Sequence, residues 1–257
     1  MILEELKQIT PVNGVLKISE VDESYEKIIF KIKIIENRIY SDDEVKLLPF
    51  ASKLNPHKTE WELKAKSFLR FKNYLSQKKS GLNILDLGCG IGWFASKILK
   101  EQNHNFYCVD INFTDLKQGA RIFQSDNIKF IHADIFAVKF PRSSFDIIIL
   151  NSSIQYFPDL SVLMRELFYL LNPYGEIHII DSPFYEDDEL IIAQKQDYRY
   201  YEMMGFPQMK EKHFHHTYKS LKNFNHKFLF DPRTITNKIV SLAFSKDSPY
   251  PWIVIKR

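Results

Sequence analysis

Only 2 cysteines stand among 257 residues. Cys89 falls in a glycine-rich turn and Cys108 in a predicted strand, so neither a disulfide framework nor a cysteine metal centre is expected. A reducing, cytoplasmic setting follows from that usage. Long apolar runs are also missing, and none approaches the ~20 residues needed to span a bilayer. Met1 to Thr10 alternates charge with short apolar pieces, which is not the pattern of a secretory leader. Strong charge of one sign is absent as well: 35 basic and 32 acidic side chains leave a net +3, too little to imply a nucleic-acid partner. Residues 81–182 hold 8 basic and 11 acidic side chains, a mildly acidic centre between mildly basic flanks. Solvated surface is the plain reading, and a basic rim steering an anionic substrate is the alternative. The chain shows no internal repeat and no long low-complexity segment.

What is present is an ordinary globular composition, 45% hydrophobic and 26% charged, with 21 Phe and 13 Tyr. The length suits one large α/β domain, or a domain of roughly 170 residues with an appendage. In the centre, apolar runs too short for helices alternate with stretches of helical periodicity. Strands are expected at Asn83–Leu87, Asn105–Val109, Ile128–His132, Phe145–Leu150 and Glu176–Ile180. Helices are expected from Trp93 to Lys100, near Asp115–Phe123 and over Leu160–Leu171, the last stopped by Asn172-Pro173-Tyr174-Gly175. Such alternation gives a parallel, doubly wound sheet, whose ligands bind beyond the carboxyl ends of the strands. Asp86, Asp110, Asp134, Asn151 and Asp181 all fall at such ends. Phe224–Phe230 and Trp252–Ile255 read as two final strands. On the amino-terminal side, Val15–Ile18 and Ile28–Ile35 alternate as short strands do, and Glu60–Leu75 is an amphipathic helix.

The densest signal is Ile84-Leu85-Asp86-Leu87-Gly88-Cys89-Gly90-Ile91-Gly92. An apolar strand ends in an acid, then three glycines at alternate positions let a backbone turn approach a ligand ahead of a helix. The acid would repel a pyrophosphate and attract a cation such as an amino-acid ammonium. The main rival is a nicotinamide-binding fold, which also uses glycines and a second-strand acid. Counted from Gly88, its spacing wants a small residue where Trp93 stands. Counted from Gly90, Ala95 fits, so spacing alone does not exclude it.

These motifs together resemble class I S-adenosylmethionine-dependent methyltransferases over residues 60–182, including a bacterial subgroup of unassigned substrate. The resemblance implies a Rossmann-like α/β fold with a seven-stranded sheet, mostly parallel with an antiparallel last strand. It implies S-adenosylmethionine as cofactor and S-adenosylhomocysteine as product. On that pattern Asp86 takes the methionyl ammonium, while Gly88 and Gly90 let the backbone approach. Asp110, 24 residues after Asp86, takes the ribose hydroxyls and Ile111 packs on adenine. Asp134, a further 24 residues on, meets the adenine amino group beside Ile135, and Asn151 closes the methionine side. The turn Leu171-Asn172-Pro173-Tyr174-Gly175 departs from the family's usual form only in Tyr174. Thr10-Pro11-Val12-Asn13-Gly14 sits where some methyltransferases carry a zinc ribbon, but it lacks the cysteines, so any such module here is metal-free.

Methyl transfer is an in-line displacement in which positioning and water exclusion carry most of the catalysis. A general base helps only when the acceptor is a hydroxyl or a protonated amine. Tyr156, Asp181 and His216 are the candidates for such roles. The cluster His213-Phe214-His215-His216 has no nearby cysteine, and Thr217-Tyr218-Lys219 adds no obvious ligand, so no metal is expected. Residues 1–59 are expected to form an amino-terminal extension with a small β-hairpin, and 60–257 the catalytic domain with a helical cap at about 183–220. The expected acceptor is a small molecule methylated at O, N or C, with no nucleic acid and no membrane span. The alternatives are an RNA or protein methyltransferase, or a subunit that binds the cofactor without turnover.

Overall fold

The computed structural model describes residues 6, 8–138, 140–238 and 246–257. Most of the stretch 1–10, where no leader is expected, lies outside them. Among the described residues ten strands occur: β1 (Val15–Lys17), β2 (Asn83–Leu87), β3 (Asn105–Asp110), β4 (Ile128–His132), β5 (Phe145–Asn151), β6 (Leu171–Ile180), β7 (Phe184–Tyr185), β8 (His216–Thr217), β9 (Asn225–Phe230) and β10 (Trp252–Lys256). The named α-helices are α1 (Glu23–Ile35), α2 (Asp42–Leu47), α3 (Lys58–Leu75), α4 (Trp93–Leu99), α5 (Phe113–Ile122), α6 (Leu160–Leu170) and α7 (Asp187–Met203).

Eight strands form one sheet in the order β1-β4-β3-β2-β5-β6-β10-β9. Only β10 runs against the rest: it pairs antiparallel with both β6 and β9, while the other pairs are parallel. The order reverses at β2, so the clefts beyond the carboxyl ends of β2, β3 and β5 form the switch point where doubly wound sheets bind ligands. Both faces are covered. Leu85, Leu87, Val109, Ile148 and Ile177 point into one core, and Ile84, Phe106, Cys108, Ile147 and Ile149 into the other. This strict alternation of burial is what a sheet sandwiched between helices requires. α3 buries Trp61, Ala65, Phe68, Phe71 and Leu75, at spacings of three and four, on the second face. Phe71 packs there against Phe94 and Trp252 at ring separations of 5.4 and 5.9 Å.

Two expectations differ from the structure. The sheet has eight strands rather than seven, because Val15–Lys17 joins its edge parallel to β4 instead of forming a detached hairpin; only the bridge Val12–Val15 closes back on itself. Ile28–Ile35 is helix rather than strand. Asp22 caps α1 by accepting the Ser24 amide, and Tyr25 and Ile32 share its buried face at helical spacing. The alternation of Phe30, Ile32 and Ile34 with lysines suggests a strand, but the segment's capped helix satisfies the backbone locally and buries Ile32 beside Tyr25. After β6, where a helical cap is expected, come α7, a 3-10 turn at Pro207–Glu211 and the two-stranded β7–β8 pair.

Candidate functional site

A cavity of about 1320 Å³ opens beyond the carboxyl ends of β2, β3 and β5, roofed by α1 and the cap. A single small ligand commonly occupies about 300–1,000 Å³. The cavity therefore has room for two molecules side by side.

Its floor is the glycine turn after β2. Gly88 has φ +75°, and a Cβ there would come within 2.5 Å of Ser153 Cβ, so no larger residue fits. Ser153 is held in that approach by donating to the Leu87 carbonyl at 2.7 Å. Gly90 has φ +54° and faces open space, with no atom nearer than 3.8 Å to its would-be Cβ. Its amide donates to Asp110 Oδ2 at 2.7 Å, and the Asn112 amide donates to Asp110 Oδ1 at 2.8 Å. These two bonds fix the carboxylate at the end of β3. Ile111 lies beside it in the wall, and Asn112 caps α5.

Asp86 is 1% exposed, and its Oδ2 has no hydrogen-bond partner among the described residues. Burial, reinforced by the charge of Asp110, pushes its carboxyl up to about 7. Burial likewise lifts Asp110 to about 6, against the lowering effect of its two amide donors. Two acids short of counter-charge at adjacent strand ends favour a ligand that brings a cation and hydroxyl donors. Asn151 Oδ1 is a second buried acceptor without a partner among the described residues. The donor needs of Asp86, Asp110 and Asn151 thus suit a ligand that carries an ammonium and neighbouring hydroxyls. Asp134 also lines the cavity, with Oδ1 accepting the Phe136 amide at 2.9 Å. Ile135 is 3% exposed and belongs chiefly to the core beneath the wall.

The three catalytic candidates fare differently. Tyr156 lines the cavity. Desolvation first, then the Asp110 charge, push its hydroxyl up to about 12, so at neutral pH it is a hydrogen-bonding group rather than a base. Asp181 also reaches the cavity, but its Oδ1 accepts from Ser67 at 2.6 Å and Ser248 at 2.9 Å. It clamps α3 to the segment before β10. His216 is turned away: it is buried, and its Nε2 meets the Ile154 carbonyl at 3.1 Å. His213, three residues earlier and ahead of β8, takes the wall position instead.

Two contributions were not legible in the sequence. The α1 roof places Tyr25, Ile29 and Lys33 over the cavity, and Lys33 pairs with Asp115 of α5. Asp197, from the middle of α7, meets His213 Nδ1 at 3.1 Å and His215 Nε2 at 2.9 Å. The sequence reading, in which no metal is expected at the histidines, weighs only residues near them in the chain. The third donor comes from 16 residues upstream, which a search of the following residues does not find.

A family model described as "Methyltransferase domain" matches residues 78–241. Among known proteins, a sterol 24-C-methyltransferase of Aspergillus fumigatus is 30% identical over 113 residues, covering 41% of this chain and 30% of that protein. A demethylmenaquinone methyltransferase of Listeria monocytogenes is 26% identical over 113 residues, covering 42% of this chain and 48% of that protein. The chain spans less than half the length of these curated relatives. Among solved structures, the YcgJ protein of Bacillus subtilis superposes with a TM-score of 0.56 at 14% identity, over 75% of this chain and 99% of that one. An S-adenosylmethionine-dependent methyltransferase of Mesorhizobium loti gives 0.54 at 18% identity, over 76% and 100%. At these identities the structural likeness is one of fold.

Proposed function

The chain belongs to the methyltransferase-domain family, whose cofactor is S-adenosylmethionine, and on that premise we propose that the cavity moves a methyl group from this cofactor to a small-molecule acceptor. The observation that carries the reading is Asp86: a buried carboxylate with an unpartnered oxygen, beside a glycine turn that admits close backbone approach.

When bound, the cofactor supplies an electrophilic methyl on a sulfonium, which an acceptor displaces in line. In this reading Asp86 holds the ammonium, and Asp110, pinned by two amides, receives the ribose hydroxyls. Ile111 packs against the base and Asp134 receives its amino group, while Asn151 faces the methionyl side. α1 and the cap exclude water, which strengthens every one of these contacts. The remaining wall mixes the aromatic and apolar side chains of Tyr25, Tyr156, Tyr201 and Met209 with charged and polar ones, among them Lys64, Asp197 and His213. It suits an organic acceptor of moderate size. The sterol and demethylmenaquinone methyltransferases among the relatives support a small-molecule acceptor, as does the near-neutral charge. No helix of the described residues is long and apolar enough to cross a membrane.

Calorimetry with S-adenosylmethionine and S-adenosylhomocysteine tests the cofactor, and transfer of labelled methyl into a pool of small acceptors tests the reaction. Asp110→Ala removes the acceptor for two ribose hydroxyls and is expected to weaken S-adenosylhomocysteine about 100-fold, at about 1.5 kcal/mol for each charged hydrogen bond lost. Wild-type affinity in that variant would refute the ribose assignment. Cofactor binding with label passing only into RNA or protein would refute the acceptor class.

A further inference from the structure

We propose that Asp197, His213 and His215 form a binding site for a divalent transition metal, zinc by preference, with an open coordination position facing the acceptor half of the cavity. Among the described residues they are the one group of three such side chains whose ligand atoms all lie within 4.8 Å of one another. Two imidazole nitrogens and one carboxylate, leaving a fourth position free, is a donor set that catalytic zinc sites use.

The distances fit with little movement. Zinc bonds of about 2.0–2.2 Å place neighbouring ligand atoms of a tetrahedron roughly 3.3–3.5 Å apart. Here Asp197 Oδ2 is 3.1 Å from His213 Nδ1 and 2.9 Å from His215 Nε2, so a few tenths of an ångström would open the set around an ion. The orientation of His213 adds an independent indication. Its Nδ1 is buried and makes no hydrogen bond, although the carboxylate stands 3.1 Å away. An imidazole close to a carboxylate but not aimed at it has the geometry of two ligands converging on a third centre.

The frame that holds these side chains is set before any ion arrives. His213 and His215 both bring a ring nitrogen to the same Asp197 oxygen and pack on each other with centroids 5.4 Å apart. Between them the Phe214 amide donates to the Gln155 carbonyl at 2.7 Å. Immediately after them His216 is tied to Ile154, and β8 pairs with β7. Ring packing limits the imidazoles further: His213 lies between Tyr201 and Tyr156 at 5.8 and 6.1 Å, and His215 against Tyr185 at 5.4 Å. Asp197 arrives from α7, so a bound ion would also fasten the cap helix to the cavity wall. Asp197 and His213 both line the cavity, which turns the free position towards the acceptor space. One carboxylate against a dication leaves a positive site that favours an anionic oxygen. This last step rests on the methyl-transfer reading: an acceptor hydroxyl bound there would release its proton to solvent more readily, and the oxyanion would form the new O–C bond as the methyl's S–C bond breaks and S-adenosylhomocysteine leaves with that electron pair. The ion site itself does not depend on that reading.

The test uses the full chain freed of metal with a chelator, and titrates Zn²⁺ alone against a chromophoric competitor. One equivalent is expected at a dissociation constant below about 1 µM. His213→Ala, His215→Ala and the near-isosteric Asp197→Asn are each expected to weaken it by more than about 100-fold, since even outer partners of a metal site are worth 10–100-fold. S-adenosylhomocysteine affinity, measured in parallel, should stay within about twofold and shows that each variant is folded. Co²⁺ in place of zinc should give intense tetrahedral d–d absorption that these variants lose. Zinc affinity equal in wild type and variants would overturn the site and leave Asp197 as a hydrogen-bonding partner that orients two imidazoles. Zinc binding without S-adenosylhomocysteine binding would sustain the ion site while the cofactor reading fell.

Discussion

Acidification should strip the cofactor from this protein while making the free protein more stable, and Asp86 sets both signs. Burial places its carboxyl near 7 in the free protein, so at pH 7 about half of the molecules carry it protonated. An ammonium needs the ionised form, and once bound it returns the group towards the usual carboxylate range near 4. Apparent affinity then falls by the free protein's protonated fraction. Between pH 7 and pH 5 the factor is (1 + 10²)/(1 + 10⁰), roughly 50-fold or about 2.3 kcal/mol. Asp86 alone should release about 0.9 proton on binding at pH 6, and Asp110, lifted to about 6 and meeting the ribose hydroxyls, adds to it; calorimetry of S-adenosylhomocysteine in buffers of different ionisation enthalpy reads the sum directly. Stability has the opposite sign. A carboxyl whose folded value is raised binds protons more tightly in the folded state, so the free protein gains stability as pH falls from above 7 towards 4. Asp86→Asn should therefore raise the melting temperature of the free protein at pH 8, weaken the cofactor, and flatten both pH profiles. An affinity that is flat between pH 5 and 7 in the wild type, or no proton release at pH 6, would refute this account of Asp86.

Three other outcomes are expected. Gly88→Ala puts a Cβ 2.5 Å from Ser153 Cβ at a positive φ; strain and overlap should cost about 2–4 kcal/mol on a denaturant curve and weaken S-adenosylhomocysteine on calorimetry. Glu176, 4% exposed, accepts from Tyr74 and meets Lys78, Lys256 and His178. Burial opposes its ionisation, but these partners outweigh burial and hold its carboxyl well below the usual range. Its contribution is present above the usual carboxylate value and is lost as pH falls through the depressed folded one. Glu176→Gln should cost about 2 kcal/mol at pH 7, discounted because both lysines stay partly solvated, and much less at pH 2, as urea melts at the two pH values will show. Phe71→Ala, at 0% exposure between Phe94 and Trp252, should cost about 3–5 kcal/mol in the same assay without changing cofactor stoichiometry.

The cofactor half of the cavity was legible in sequence because its chemistry is local. Asp86, Gly88 and Gly90 are neighbours in the chain, and Asp110, Asp134 and Asn151 each stand at the end of a short apolar run. A period-2 strand followed by a polar residue announces itself without any knowledge of packing. The acceptor half depends on long-range juxtaposition. Asp197 lies in the interior of a helix of low amphipathic contrast, and only the fold brings it to His213 and His215. His216 is a candidate on sequence, yet periodicity cannot say which member of the cluster faces inward. α1 differs for a related reason: the alternation within Ile28–Ile35 suggests a strand, and the Asp22 cap with the buried pair Tyr25 and Ile32 outweighs it.

That division also says where specificity resides. The residues placed at the cofactor come from the sheet, whose register is set by two buried faces and tolerates no slip. Those around the acceptor space come from α1, α7 and the segment before β8, which lie outside the sheet. α1 holds to the body through Tyr25 and Ile32 in a small cluster with Met209, and through polar latches: Glu26 to Thr114 at 2.8 Å, Lys33 to Asp115, and Glu36 to Tyr200 of α7. Such a helix can lift at a small fraction of the global unfolding free energy, because few buried apolar contacts must be broken. Entry of both reactants then needs no opening of the sheet. Both Lys33 and Thr114 act at α5, directly after Asp110 and Ile111, so closing α1 and filling the ribose and base positions engage the same short segment. A ligand there that contacts both α1 and β3 binds the closed form better than the open one, which is the differential affinity that closure requires. On the proposed assignment, the acceptor pocket walled by α1 and α7 would be completed only when the cofactor half is occupied.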